Sequence, residues 1–135
     1  MTWDNFTYDE FACQCDHCDG ENHMSESVID DLQEIRTPCG FPFIITSGYR
    51  CPLHPIEAAK DAPGPHSTGR ALDVLCSGEN YLAILGAALL VNVGEEDWIW
   101  TGFGADQKGD YDDRYIHLDQ CDAAPGRPRP HGWTY

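Results

Sequence analysis

The stretch Gly64-Pro-His-Ser-Thr-Gly-Arg-Ala-Leu-Asp73, answered far along the chain by Tyr115-Ile-His-Leu-Asp119, constrains this fold more than any other feature. It offers two imidazoles and a carboxylate: His66, Asp73 and His117. If they share one ion, a loop, a strand and a distant second strand must converge on it. Such a set suits a catalytic zinc ion whose fourth position stays open to water. His66 follows Gly64-Pro65 on a loop, Asp73 falls within a strand, and Gly69 permits a tight turn between them. Ala71 shares the strand face of Asp73, and its small side chain leaves room there. Without an ion, the same residues read as a loop histidine and a strand-end aspartate. His117 alternates with Asp113, Tyr115 and Asp119 along an extended segment, which sends all four to one face. A lone strand histidine is ordinarily a satisfied core residue. A row of one histidine and two aspartates is harder to bury without a cation.

Arg50 follows Ser47-Gly48-Tyr49 at the end of an apolar run. It reads either as a surface ion pair or as a fixed positive charge beside the metal, holding a substrate carboxylate or a developing oxyanion. His17, His23, His54 and His131 have no spacing that lifts them above surface histidines. Seven cysteines are many for this length. Cys13, Cys15 and Cys18 cluster and, with His17 or His23, could hold a structural zinc. Alternatively, Cys13 or Cys18 bridges to Cys39 or Cys51 and pins the N-terminal segment to the core. Disulfides or free thiols are the preferred reading, because no second C-x-x-C pair completes a ribbon.

The 135 residues suffice for one domain, and 41% hydrophobic content supports a packed core. A formal net charge of −15 argues against nucleic acid and against anionic membranes, and favours solubility. No basic and apolar leader opens the chain, and Tyr81–Val93 is too short to span a bilayer. Residues 1–24 read as an irregular, Cys-rich arm, residues 25–122 as the domain proper and residues 123–135 as an extended tail. Ser25 or Ser27 caps a helix running to about Thr37, with Val28, Ile29, Leu32 and Ile35 on its core face. Pro38-Cys39-Gly40 ends it. Phe41–Thr46 reads as a buried strand and Cys51–Pro65 as a surface loop. Ala71–Leu75 reads as a short strand. A second helix is expected over Gly78–Val93, its apolar stripe carrying Leu82, Leu85, Leu89, Ile84, Ala88 and Val91. Asp97–Phe103 and Arg114–Asp119 look like strands. Helices set before and between short strands predict an α+β class.

These residues resemble the zinc D-alanyl-D-alanine carboxypeptidase family. That family includes vancomycin-resistance D,D-peptidases and phage L-alanyl-D-glutamate endopeptidases, and it shares its site with hedgehog signalling domains. Its pattern S-x-H-x-x-G-x-A-x-D is matched at His66, Gly69, Ala71 and Asp73 and departs at Gly64. The upstream S-G-Y-R is Ser47–Arg50, and the downstream H-x-D is His117 and Asp119. Phe11-Ala-Cys13 and Arg50-Cys51-Pro52 look like the small phage and prophage branch. The similarity covers roughly residues 6–121, and four ordered blocks are well beyond a single short motif.

The resemblance implies a small single α+β domain with a mainly antiparallel sheet flanked by helices. It implies that His66, Asp73 and His117 bind Zn²⁺ and that Arg50 stabilises the transition state. Many relatives carry a carboxylate three residues before the last histidine, where this chain has Arg114. The general base is then expected at Asp113, through strand alternation, or at Asp119, which could equally orient His117. The expected activity is hydrolysis of amide bonds in peptidoglycan stem peptides or cross-links. The enzyme would be a D,D-carboxypeptidase or an endopeptidase of the phage-lysin type, a monomer acting after cell lysis or as part of a virion. The competing class is a non-catalytic zinc module that binds cell wall or a protein.

Overall fold

The computed structural model describes residues 2–135; Met1, the first residue of the expected arm, lies outside them. Helix α1 spans Glu26–Cys39, and its four apolar positions Val28, Ile29, Leu32 and Ile35 are all buried. Ser25 stands at the N-cap, but its hydroxyl pairs with Ser27 Oγ at 2.9 Å rather than with a backbone N–H. Pro38 does not stop the helix: it sits inside the last turn, and Gly40, with φ 73°, ends it. A left-handed C-terminal residue favours glycine for want of a Cβ.

Strand β1 (Ile44–Ser47) is shorter than expected and is not buried. It lies at the sheet edge, so Ile44 remains 56% exposed. The Pro-rich loop that follows contains one turn of helix, α2 (Pro55–Ala58). Strand β2 (Ala71–Leu75) falls where expected. Helix α3 spans Gly78–Asn92, but the expected stripe is only half right: Ile84 and Ala88 are buried, whereas Leu82 and Leu89 are exposed. A helix this uniformly apolar carries little directional signal in its sequence.

Asp97–Thr101 is not a strand. The Asn92 side chain accepts from the N–H groups of Ile99 (2.9 Å) and Trp100 (3.1 Å) and donates to Trp100 O (2.9 Å). Those backbone groups are therefore unavailable to a ladder, and β3 starts at Gly102, running to Asp106. Strand β4 spans Tyr115–Asp119 and β5 spans His131–Thr134, inside the segment expected to be an extended tail.

The five strands form one sheet in the order β1-β2-β4-β3-β5. All neighbours are antiparallel except β3 and β5. Strand alternation splits the side chains between two faces. Leu72, Val74, Ile116 and Leu118 join α1 and α3 in the core, while Asp73, Tyr115, His117 and Asp119 take the opposite face. The molecule is an α+β domain with a mostly antiparallel sheet. Among the described residues, no helix is long and apolar enough to cross a membrane.

All seven cysteines are free thiols. Cys39 stands apart, its Sγ 3.7 Å from Ala83 O. It is therefore no partner for the arm, contrary to one of the expected bridges. Cys51 does meet the arm, but in a four-sulfur cluster instead of a bond.

Candidate metal centre

Register places the site. Asp73 in β2 lies directly opposite His117 in β4, and paired residues share a face. The same lateral row continues from Ser47 in β1 to Gly104 in β3 and Trp133 in β5. His66 arrives from outside the sheet, on the 3-10 turn Pro65–Thr68. Gly69 ends that turn at φ 76°, and a Cβ there would stand 2.1 Å from His23 O. No other residue type fits that corner.

The three side chains converge. His66 Nε2 lies 3.3 Å and His117 Nδ1 3.2 Å from the same oxygen, Asp73 Oδ1. The donor atoms of His66, Asp73 and His117 all fall within 4.8 Å of one another, and all three residues are buried. The outer nitrogen of each ring is anchored. His66 Nδ1 is 2.8 Å from Gly48 O, and a carbonyl only accepts, so the proton sits on Nδ1. His117 Nε2 is 2.7 Å from Asp119 Oδ2, and that nitrogen donates likewise. Each imidazole therefore turns its inner nitrogen toward one point, with its tautomer fixed from behind. This is how metal-binding histidines are held. Two imidazole nitrogens and one carboxylate oxygen fit a Zn²⁺ ion.

The electrostatics match. Burial pushes the Asp73 carboxyl up, but hydrogen bonds from His117 and His66 outweigh it and hold Asp73 well below the usual range. Burial lowers His117, yet Asp119 and Asp73 more than compensate and raise it. The cluster favours positive charge at its centre, which a divalent cation satisfies by displacing protons.

Arg50 reaches this centre in a fixed pose. It donates through Nη2 to Asp73 Oδ2 (3.5 Å), through Nη1 to Glu57 Oε2 (3.2 Å) and through Nε to Ser47 Oγ (3.0 Å). Glu57 is fully buried and also accepts from Gly64 N–H (2.7 Å) and Lys60 Nζ (3.1 Å). The open side is a cleft of about 270 Å³ whose walls include Arg50, Lys60, Tyr115, Trp133 and Tyr135. Burial raises both tyrosines, so they remain neutral O–H donors at pH 7. Among the described residues, a larger apolar groove of about 500 Å³ over α3 and β5 holds no cluster of metal donors, so size does not locate the chemistry.

The two carboxylates expected as general base fall elsewhere. Asp113 is not on β4: it ends the 3-10 turn Tyr111–Asp113, and strand alternation does not apply to it. Its side chain is exposed and is not part of the cleft wall. The strand begins late because Arg114 turns away, donating to Gly109 O and stacking on Tyr111. Asp119 is buried behind His117. Arg129 donates to it through Nε (2.9 Å) and Nη2 (2.6 Å), and Cys121 N–H donates to it at 3.1 Å. Its lone pairs are committed, which is the orienting arrangement.

Glu57, Arg129, Trp133 and Tyr135 escaped the sequence reading. Glu57 lay in a Pro-rich loop, and the others lay in a segment without hydrophobic periodicity. The alternation His131-x-Trp133-x-Tyr135 was the only available signal. No curated protein matches the chain. A family model described as Peptidase M15 matches residues 4–119.

Proposed function

This chain belongs to the peptidase M15 family, a family of zinc-dependent peptidases, and from that premise we propose that it hydrolyses amide bonds in peptidoglycan stem peptides or cross-links. The observation that carries this reading is the convergence of His66 Nε2, Asp73 Oδ1 and His117 Nδ1, each ring anchored through its outer nitrogen. These three residues would hold Zn²⁺, which supplies a Lewis acid and lowers the pKa of water to about 7.

The remaining roles follow from the side chains. Arg50, pinned by Glu57 and Ser47, presents a fixed guanidinium to a substrate carboxylate or to the developing oxyanion. Tyr115 and Tyr135 offer neutral donors from the same wall. Lys60 adds positive charge at the cleft, while the chain as a whole is strongly acidic. Peptides ending in carboxylates match that local reversal of sign. Asp119, clamped by Arg129, orients His117 and is a positioning residue. Asp113 then carries the proton-accepting role: no described residue hydrogen-bonds its carboxylate, but its turn must approach the substrate to act. Apo distances do not by themselves exclude such a base. The likeness of Phe11-Ala-Cys13 and Arg50-Cys51-Pro52 to the phage branch supports a lysin-type role.

One observation favours the second reading, a non-catalytic zinc module: among the described residues, no carboxylate besides Asp73 lines the cleft. Digestion of purified peptidoglycan with and without a chelator, read by mass spectrometry, separates the two. Release of fragments that stops on chelation and returns with zinc supports the peptidase and identifies the bond. Metal-dependent retention on the wall without any cleavage supports the binding module.

A further inference from the structure

The N-terminal arm contains a second constellation of donors that the peptidase reading does not use. Cys15 Sγ lies 3.5 Å from Cys13 Sγ, 3.6 Å from Cys18 Sγ and 3.4 Å from Cys51 Sγ. All four sulfurs fall within 4.8 Å of one another. These are not bonds, since a disulfide joins sulfurs at about 2.05 Å. They are close to the edges of a tetrahedron: four thiolates at about 2.3 Å from zinc stand about 3.8 Å apart.

A backbone N–H is aimed at every one of the four sulfurs. Cys51 N–H donates to Cys13 Sγ at 3.3 Å. The N–H groups of His17, Glu21 and Leu53 donate to Cys15, Cys18 and Cys51 respectively. Neutral thiols are weak acceptors, whereas thiolates on a metal accept such bonds well. The donors thus surround the cluster as a shell built for negative sulfur. The spacing Cys13-x-Cys15-x-x-Cys18 puts three ligands on one short loop, and Cys51 closes the set from the far side of the chain.

We propose that Cys13, Cys15, Cys18 and Cys51 bind a structural zinc ion that staples the N-terminal arm to the loop carrying Arg50. A closed set of four thiolates leaves no position for water, so this ion does no chemistry. Its effect is mechanical. Cys51 directly follows Arg50, and Tyr49 N–H donates to Phe11 O at 2.8 Å. A Cβ on Gly48 would lie 2.5 Å from Phe11 O, so arm and loop are in backbone contact there. The Gly48 carbonyl in turn anchors His66. The staple therefore supports the backbone that fixes both Arg50 and one ligand of the first centre. The inference is independent of the substrate proposed above.

The test is metal content and cobalt spectroscopy of the full chain, purified anaerobically without added reductant. Wild type should carry two zinc ions per chain, one for each donor group. His66→Ala should retain one. After exchange with Co²⁺, wild type and His66→Ala should both show intense sulfur-to-cobalt charge-transfer absorption, and Cys15→Ser should lose it. Should Cys15→Ser fail to fold, wild type alone decides. Its four cluster thiols should resist alkylation until a strong chelator under denaturing conditions removes the zinc, while a thiol outside the cluster, such as Cys39, is not protected by zinc. Cobalt-loaded wild type without charge-transfer absorption, or peptide mapping that finds disulfides among these four, overturns the proposal.

Discussion

At the scale of single residues, two side chains carry the sharpest tests. Arg50 is held by three partners, so under the proposed function its guanidinium would meet the substrate without first being ordered. Removing one such donor typically lowers kcat by about 10²- to 10³-fold. Arg50→Ala should show a loss of that size with zinc content unchanged, measured by steady-state hydrolysis of a stem peptide. Arg50→Lys should recover little, because one ammonium cannot engage Ser47, Glu57 and Asp73 together. Asp113 is the second test. If it accepts the proton, Asp113→Asn should depress kcat with zinc content unchanged. An unchanged kcat would transfer the role to another group. Asp119→Asn should act differently, weakening zinc affinity by about 10- to 100-fold as loss of an orienting partner does.

Among the elements, the strand next to β4 is as important as the ligands. Gly102 in β3 faces Asp119, and a Cβ there would stand 2.2 Å from Asp119 Oδ2. The carboxylate cannot step aside, because Arg129 and His117 grip it. Gly102→Ala should therefore destabilise the fold by about 1–3 kcal/mol, the range for overpacking, and loosen zinc at His117 as well. Urea denaturation and zinc titration read the two effects. The α2 segment contributes through Glu57. Burial raises its carboxyl, but Gly64 N–H, Lys60 and Arg50 outweigh that and lower it. A lowered folded value means the stabilisation is fully present above about pH 4.3, the ordinary glutamate value. It is lost as pH falls through the folded value. The Tm gap between wild type and Glu57→Gln should thus be widest near neutral pH and narrow toward pH 3, as calorimetry across pH would show.

Taken as a whole, the described residues hold two donor groups with different openness. The three-ligand centre borders a cleft, whereas the four sulfurs enclose their centre. A mild chelator should therefore abolish hydrolysis first, with a small change in Tm. Displacing zinc from the thiolates with a mercurial should lower Tm further, by roughly 10 °C, if the staple ion is present at about a thousand times its dissociation constant. Paired activity and thermal-melt measurements on the same samples check the order of loss. Simultaneous loss of both would mean that arm and sheet melt as one unit.

Residue types and their order were enough to single out His66, Asp73 and His117, whose donor atoms the fold brings within 4.8 Å of one another, and Arg50, whose guanidinium reaches Asp73. Metal chemistry demands specific donors, and strand alternation is a local rule that survives folding. The same rule failed at Asp113, because a 3-10 turn three residues long shifted the start of β4. Local patterning could not reveal the exposure of β1 or which side of α3 is buried either, since edge position and helix orientation depend on the tertiary packing. The cysteines show the division most clearly. The sequence named Cys13, Cys15 and Cys18 as neighbours and offered Cys39 or Cys51 as their partner, but only the fold chose Cys51 and gathered all four sulfurs. Likewise, only the β3–β5 pairing brought Trp133 to the cleft wall and Arg129 to Asp119 behind His117. Donor identity is written in single residues; the closing of a coordination shell depends on chain segments meeting from far apart, which packing alone decides.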